Sequence, residues 1–182
     1  MFNLFRSTAT RQTIERLYGG IVAQSRHAGF YSRLGVPDTL EGRFEMVVLH
    51  TVLVCHRLKA GGKVERALSQ DVFDAFVADM DRTLREMGVG DLTVPKKMKK
   101  IGAAFYGRAA AYDAALAEEA DDTLAAALAR NILEVDGAAG TDDRALALAR
   151  YARAATAHLA GTPLEVLTRG ELDLPAPGMP ED

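Results

Sequence analysis

The chain has 182 residues, 48% of them hydrophobic, and a formal charge of −3, the profile of one ordinary soluble domain with enough apolar side chains for a core. A single cysteine, Cys55, excludes an internal disulfide and any cysteine-rich metal site, and fits a reducing compartment such as a bacterial cytoplasm. The longest apolar run, Met46 to Cys55, is interrupted by His50 and is about half the roughly 20 residues that a bilayer crossing needs.

Helical periodicity dominates, with no convincing period-two strand and no internal repeat. The expected fold is therefore all-α, a single-domain bundle of about six to eight helices over residues 1–170, followed by a flexible tail at 171–182. The opening "MFNLFRSTATRQTI" has two arginines and no acid, as a transit peptide would, but it runs straight into helical periodicity, so no presequence is expected. A first helix spans about Thr10 to Arg26. A short turn through Phe30, Tyr31 and Leu34 follows, ended by Gly35 and Pro37. "PDTLE" then opens a helix with Asp38 as N-cap and Glu41 as the reciprocal partner of a capping box. From Phe44 to Leu58 apolar residues cover most of the circumference, as in a helix central to a bundle. Arg43, His50 and Arg57 recur as its one polar stripe, and Glu45 falls on the apolar side.

Ser69 is the expected cap of the next helix, whose stripe of Val72, Phe73, Phe76, Val77, Met80, Leu84 and Met87 ends at Gly88. Asp79 and Asp81 sit at opposite rims of that stripe, so they cannot jointly hold a metal from this helix alone. "GVGD" is a turn, Thr93 or Val94 the cap, and Pro95 suits the first helical turn. Met98, Ile101, Phe105, Ala109 and Tyr112 face inward from the following helix, with Lys96, Lys97, Lys99 and Lys100 over the opposite side. Gly102 and Gly107 inside it cost about 1 kcal/mol each relative to alanine, for which close packing against a neighbouring helix is the expected reason. Two further helices are expected at about Asp121 to Leu133 and Asp142 to Ala160. "TPLE" from Thr162 opens a short last one with another capping box, and the chain frays from Leu174.

The mean charge conceals an asymmetry: residues 1–112 hold 17 Lys/Arg against 11 Asp/Glu, whereas residues 113–182 hold 5 against 14. A basic half on a mildly acidic chain points to an anionic surface such as lipid or RNA, and no DNA partner is expected. The four lysines sharpen this, because cations at a helix start oppose the helix dipole. Free backbone N–H groups, a glycine turn and Lys96, Lys97, Lys99 and Lys100 together suit an external anion. Catalytic and metal motifs are missing: His27, His50, His56 and His158 lack metal-site spacing, Cys55 sits in an apolar run where a thiol is inert, and "GVGD" matches no phosphate-binding fingerprint. No metal or cofactor is expected. The DMD at Asp79 to Asp81 leaves open a helical enzyme of prenyl-transfer type, or else a peripheral lipid- or RNA-binding module.

Two long stretches, "LYGGIVAQSRHAGFYSRLGVPDTLEGRFEMVVLH" and "DMDRTLREMGVGDLTVPKKMKKIGAAFYGRAAAYDAAL", resemble the ubiquinol-cytochrome c chaperone family, the likeness running from about Leu17 to Leu116. The acidic, alanine-rich region at 117–170 carries little of that pattern. The resemblance implies a helical, non-enzymatic chaperone that binds newly made cytochrome b and assists assembly of the ubiquinol-cytochrome c reductase (bc) complex. Mitochondrial members also work near the ribosomal exit with a small companion subunit, so the ribosome is a further partner to consider. A bacterial-type member would be cytoplasmic and peripheral to the inner membrane. By the same resemblance the candidate partner-binding positions are Phe30, Tyr31, Arg43, Glu45, His50, Asp79, Asp81, Arg85, Asp91, Lys97, Tyr106, Arg108 and Tyr112.

Overall fold

The computed structural model describes residues 8–135 and 142–178, and everything regular among them is helical. The first seven of the fourteen opening residues read against a presequence lie outside the described residues. The elements in chain order are α1 (Thr8–Ser25), α2 (Ala28–Ser32), α3 (Leu40–Lys59), α4 (Lys63–Glu86), α5 (Val94–Leu116), α6 (Asp122–Leu128), α7 (Asp143–Gly161) and α8 (Leu164–Thr168). α6 runs on into a π-helical turn, Ala129–Leu133, closed by Glu134 in the left-handed region.

α3 is the central helix. It packs on α1, α4, α5, α7 and the π turn, which is why apolar residues cover most of its circumference. Its start differs from the sequence reading. Thr39, not Asp38, is the N-cap: its Oγ1 accepts the Gly42 N–H at 3.0 Å, while Asp38 reaches sideways to Arg43 at 2.6 Å. The cause is a close approach, since a Cβ at Gly42 would lie 2.1 Å from the Pro37 carbonyl oxygen. Pro37 thus folds over the first turn and leaves the extended Thr39 in the capping position.

Two other caps also move. α4 begins at Lys63 after Gly62, so Ser69 lies inside the helix. Its apolar stripe then packs as read from Val72 to Met80, whereas Leu84 is half-buried outside the core cluster and Met87 at the far end is exposed. Thr162 closes α7, its hydroxyl donating back to the His158 carbonyl, so the second capping box does not form.

The acidic half forms a second layer over α3 and α5. Alanines buried on α6 and α7, among them Ala125, Ala145, Ala149 and Ala152, have no bulk to hold the helices apart. Helix ends here are closed by arginines from a distance. Arg153 of α7 donates to the carbonyls of Ala115, Leu116 and Ala120 at the end of α5 while pairing with Asp121 at 2.7 Å. Arg57 of α3 donates to Leu159 and Thr162 at the end of α7. In both cases a cation meets the negative end of a helix dipole and satisfies carbonyls that have no partner within the helix.

Residues 171–178, expected to fray, instead lie against α1 and α2 as an extended strap. Gln24 donates to the Pro175 carbonyl and Arg33 to the Pro177 carbonyl, both at 2.8 Å, and Leu174 is buried. The last four residues lie outside the described residues.

Candidate functional site

An open groove of about 380 Å³ runs between α3, α4 and α5. Val52 and Cys55 of α3, Phe73 of α4, and Phe105, Tyr106 and Ala109 of α5 form its floor. The rings interlock, with Phe73 centred 4.9 Å from Phe105 and 5.3 Å from Tyr106, and Phe105 and Tyr106 nearly perpendicular. Tyr106 is nevertheless 62% exposed, so its ring is an accessible wall. Around the floor stand His56, Lys59, Arg66, Ser69, Gln70 and Asp113. His56 Nδ1 lies 2.6 Å from the Asp113 carboxylate, which Lys59 also engages, and Arg66 donates to the Gly61 carbonyl.

An aromatic floor with a polar, mainly cationic rim suits a segment that is apolar on one side and polar or acidic on the other. Its one thiol is not a nucleophile. The Cys55 thiol donates to the Ser69 carbonyl, and burial pushes its pKa up to about 11, which leaves it protonated and inert.

A second open cleft, of about 530 Å³, lies where α1 meets α2 and is lined by Arg26, Ala28, Tyr31, Ser32, Asp38 and Arg43. Tyr31 and Arg43 from the sequence list meet here. Both are tethered, Tyr31 donating to the Ser25 carbonyl and Arg43 pairing with Asp38.

The other candidates divide by depth. Phe30, His50 and Tyr112 are fully buried, which corrects their candidacy as partner-binding positions by resemblance, though Tyr112 faces inward as its helical spacing predicts. The middle of α3 is surrounded by neighbours, so of its polar stripe His50 points into the bundle, while Arg43 at the start of the helix is exposed and Arg57 is half-buried. The Met46 carbonyl 2.8 Å from His50 Nδ1 can only accept, so that nitrogen carries the proton; Nε2 then accepts from the Tyr151 hydroxyl at 2.7 Å. Gln24 donates to Tyr151 in turn, and Phe30 meets both rings edge-on. With no solvent, the charged imidazolium is disfavoured and the His50 pKa drops to about 4. Tyr112 receives a hydrogen bond from Asn131.

Glu45 and Arg108 belong together as a fork-to-fork pair linking α3 to α5, with both contacts at 2.5 Å. Burial still holds the Glu45 pKa above its ordinary value. Asp79 accepts from Tyr18 of α1 and pairs with Arg82, whereas Asp81 pairs with Arg85, which also holds Asp91. The two aspartates thus serve separate arginines and do not converge. Lys96, Lys97, Lys99 and Lys100 are all exposed, and none makes an ion pair among the described residues.

Gly102 and Gly107 overturn the packing reason expected for them, because a Cβ at either would meet nothing within 4 Å. Of the groove, the sequence reading singled out only Tyr106 as a contact residue. Phe73 and Phe105 read as core from their helical stripes, and the rim is not legible in the sequence because it is assembled from three helices. The available signal was His56 and Lys59 three residues apart at the polar end of α3.

Comparison with known proteins bears on the whole assembly. The profile of the family described as ubiquinol-cytochrome C chaperone matches residues 32–174, so the likeness extends well past Leu116, through the acidic, alanine-rich region. The Xenopus laevis protein named ubiquinol-cytochrome-c reductase complex assembly factor 1 is 27% identical over 118 residues, 65% of this chain and 58% of that protein. Its Mus musculus namesake is 28% identical over 115 residues, 63% of this chain and 39% of that one. The chain therefore spans less than two thirds of the length of these relatives. A crystal structure of the Cbp3 homolog from Brucella abortus is 39% identical, covering 93% of this chain and 92% of that one with a TM-score of 0.82. With the family profile spanning α3 to α8 and a solved relative superimposing over nearly its full length, the chain belongs to the ubiquinol-cytochrome c chaperone family.

Proposed function

We propose that this chain is an assembly chaperone for the ubiquinol-cytochrome c reductase complex and that its client is newly made cytochrome b, held in the groove between α3, α4 and α5. The observation that carries the reading is the open aromatic floor around Tyr106 in a member of this family. A chaperone must bind apolar client surface and let it go, and an open, half-exposed aromatic groove suits reversible contact better than a closed pocket. Its cationic rim complements acidic or carbonyl-rich ends of client segments. We also infer that it works at the cytoplasmic face of the membrane that receives cytochrome b, bound peripherally; no described helix is long and apolar enough to cross a bilayer.

Deleting the gene tests the first part: cytochrome b and bc-complex activity should fall while the cytochrome b transcript persists. Normal complex assembly in the deletion strain would remove the reading. A photo-crosslinking residue at position 106 tests the groove, and it should capture cytochrome b from cells making it. Capture at exposed Val64 in place of position 106 would move the client elsewhere.

A further inference from the structure

The corner where α4 turns into α5 presents a combination of side chains that neither the groove nor the core uses. Leu92 at its tip is 98% exposed and Met87 beside it 54%. The tip is built rather than loose: Val89 donates to the Leu84 carbonyl, and Thr93 and Val94 both donate to Gly90. The exposure of Leu92 is therefore set by hydrogen-bonded backbone. Because the chain from Gly90 already turns helically into α5, Leu92 precedes Lys96, Lys99 and Lys100 at four-, seven- and eight-residue spacing and shares their face. Lys97 borders it.

Nearby acids leave these lysines unpaired. Asp91 is taken by Arg85, which also holds Asp81, and Glu86 lies 3.9 Å from Arg82. An apolar side chain fully in water, followed by cations that no acid among the described residues pairs with, matches a surface that is anionic outside and apolar just beneath. RNA or an acidic protein segment would satisfy the lysines and leave Leu92 in water.

We propose that this corner is a peripheral membrane anchor: Leu92, with Met87, enters the headgroup–acyl boundary of an anionic bilayer while Lys96, Lys97, Lys99 and Lys100 engage lipid phosphates. Tyr106 lies ten residues beyond Lys96, about 15 Å along α5, so the anchor holds the groove close to the bilayer. The inference rests on the proposed function only for the presence of a membrane beside the client. Lipid binding is measured without the client, so the two can fail separately.

The test uses the full chain with vesicles of an equal mixture of phosphatidylcholine and phosphatidylglycerol, and phosphatidylcholine alone as control. The parent should sediment with the anionic vesicles only. Leu92→Ser should weaken binding about tenfold or more, and the four lysines changed to glutamine about a hundredfold or more, with no fall in melting temperature. The chain has no tryptophan, so Leu92→Trp is a single reporter whose emission should shift to the blue on anionic vesicles. Sedimentation without that shift would show that the tip stays in water and would overturn insertion. No sedimentation of the parent with anionic vesicles would overturn the anchor and leave the client reading standing.

Discussion

α3 and α5 are neighbours of similar length, 20 and 23 residues, yet they deploy their polar residues in opposite ways. In α3 twelve residues are buried, and the polar ones among them are locked: His50 to Tyr151 and Met46, Thr51 to the Val47 carbonyl, Glu45 to Arg108. In α5 only Val94, Phe105, Tyr112 and Ala115 are buried; the outward side presents lysines, Tyr106 and two glycines with open space around them. A polar residue inside a helix therefore says little about binding until its neighbours are known. In α3 the buried ones hold the bundle; in α5 Arg108 and Asp113 tie back to α3, whereas Lys96, Lys97, Lys99 and Lys100 make no ion pair among the described residues.

The widest gap between the two helices should appear on truncating the aromatic cluster beside α3. Phe30→Ala removes a fully buried ring packed on His50 and Tyr151 and should lower stability by about 3–5 kcal/mol, read as a large drop in thermal midpoint. A loss below about 1 kcal/mol would mean the cluster is loosely packed and the comparison is drawn in the wrong place.

Acid probes the same helix by a different route. The His50 pKa is about 4 in the fold against 6.5 for an exposed histidine, so on acidification the unfolded chain takes up the proton first. The stabilisation is complete above about pH 6.5 and is lost as pH falls toward 4, by up to about 3 kcal/mol. Glu45 works against this, because its raised pKa lets the folded state take a proton first and gain stability on acidification. Asp38, Asp142 and Glu171 have lowered values and lose stabilisation as pH falls, but they are solvent-screened and should add little. Urea unfolding at pH 7 and pH 5 should show a steeper loss in the parent than in His50→Asn. Equal slopes would assign the acid sensitivity to other groups.

On α5 the sign should reverse. Gly102→Ala and Gly107→Ala should each stabilise by about 1 kcal/mol, since each removes a flexible residue from a helix interior and the new methyl meets open space. Lower stability in either variant would reveal a neighbour that the fold does not show. If stability rises while cytochrome b capture falls, the glycines are there for a partner's close approach.

The smallest expected effect is on the lysines. Changing Lys96, Lys97, Lys99 and Lys100 to glutamine should leave stability equal or higher by a few tenths of a kcal/mol per residue, because four cations leave the positive end of a helix dipole. A clear fall in melting temperature would make them structural and erase the contrast with α3.

Much of this architecture is local and could be read from one chain. Gly35, Pro37, Gly88 and Pro95 punctuate the helices because backbone geometry at those residues is decided within a few bonds, and the repeat of Phe73, Phe76 and Met80 marks a buried stripe because 3.6-residue periodicity is local too. The lysine face of α5 was legible for the same reason. Contacts between distant residues were not. Thr39 rather than Asp38 caps α3 because Pro37 folds over Gly42; Glu45 is held because Arg108, 63 residues away, reaches it; the C-terminal strap is held because Gln24 and Arg33 donate to its carbonyls. The groove is of this second kind, since Cys55, Phe73 and Tyr106 become one surface only when α3, α4 and α5 pack. Helical class, element order and the basic face follow from the sequence through torsions and periodicity. Which polar groups are satisfied inside and which remain for a partner was decided by tertiary packing, because satisfaction depends on groups that only folding brings within hydrogen-bonding distance.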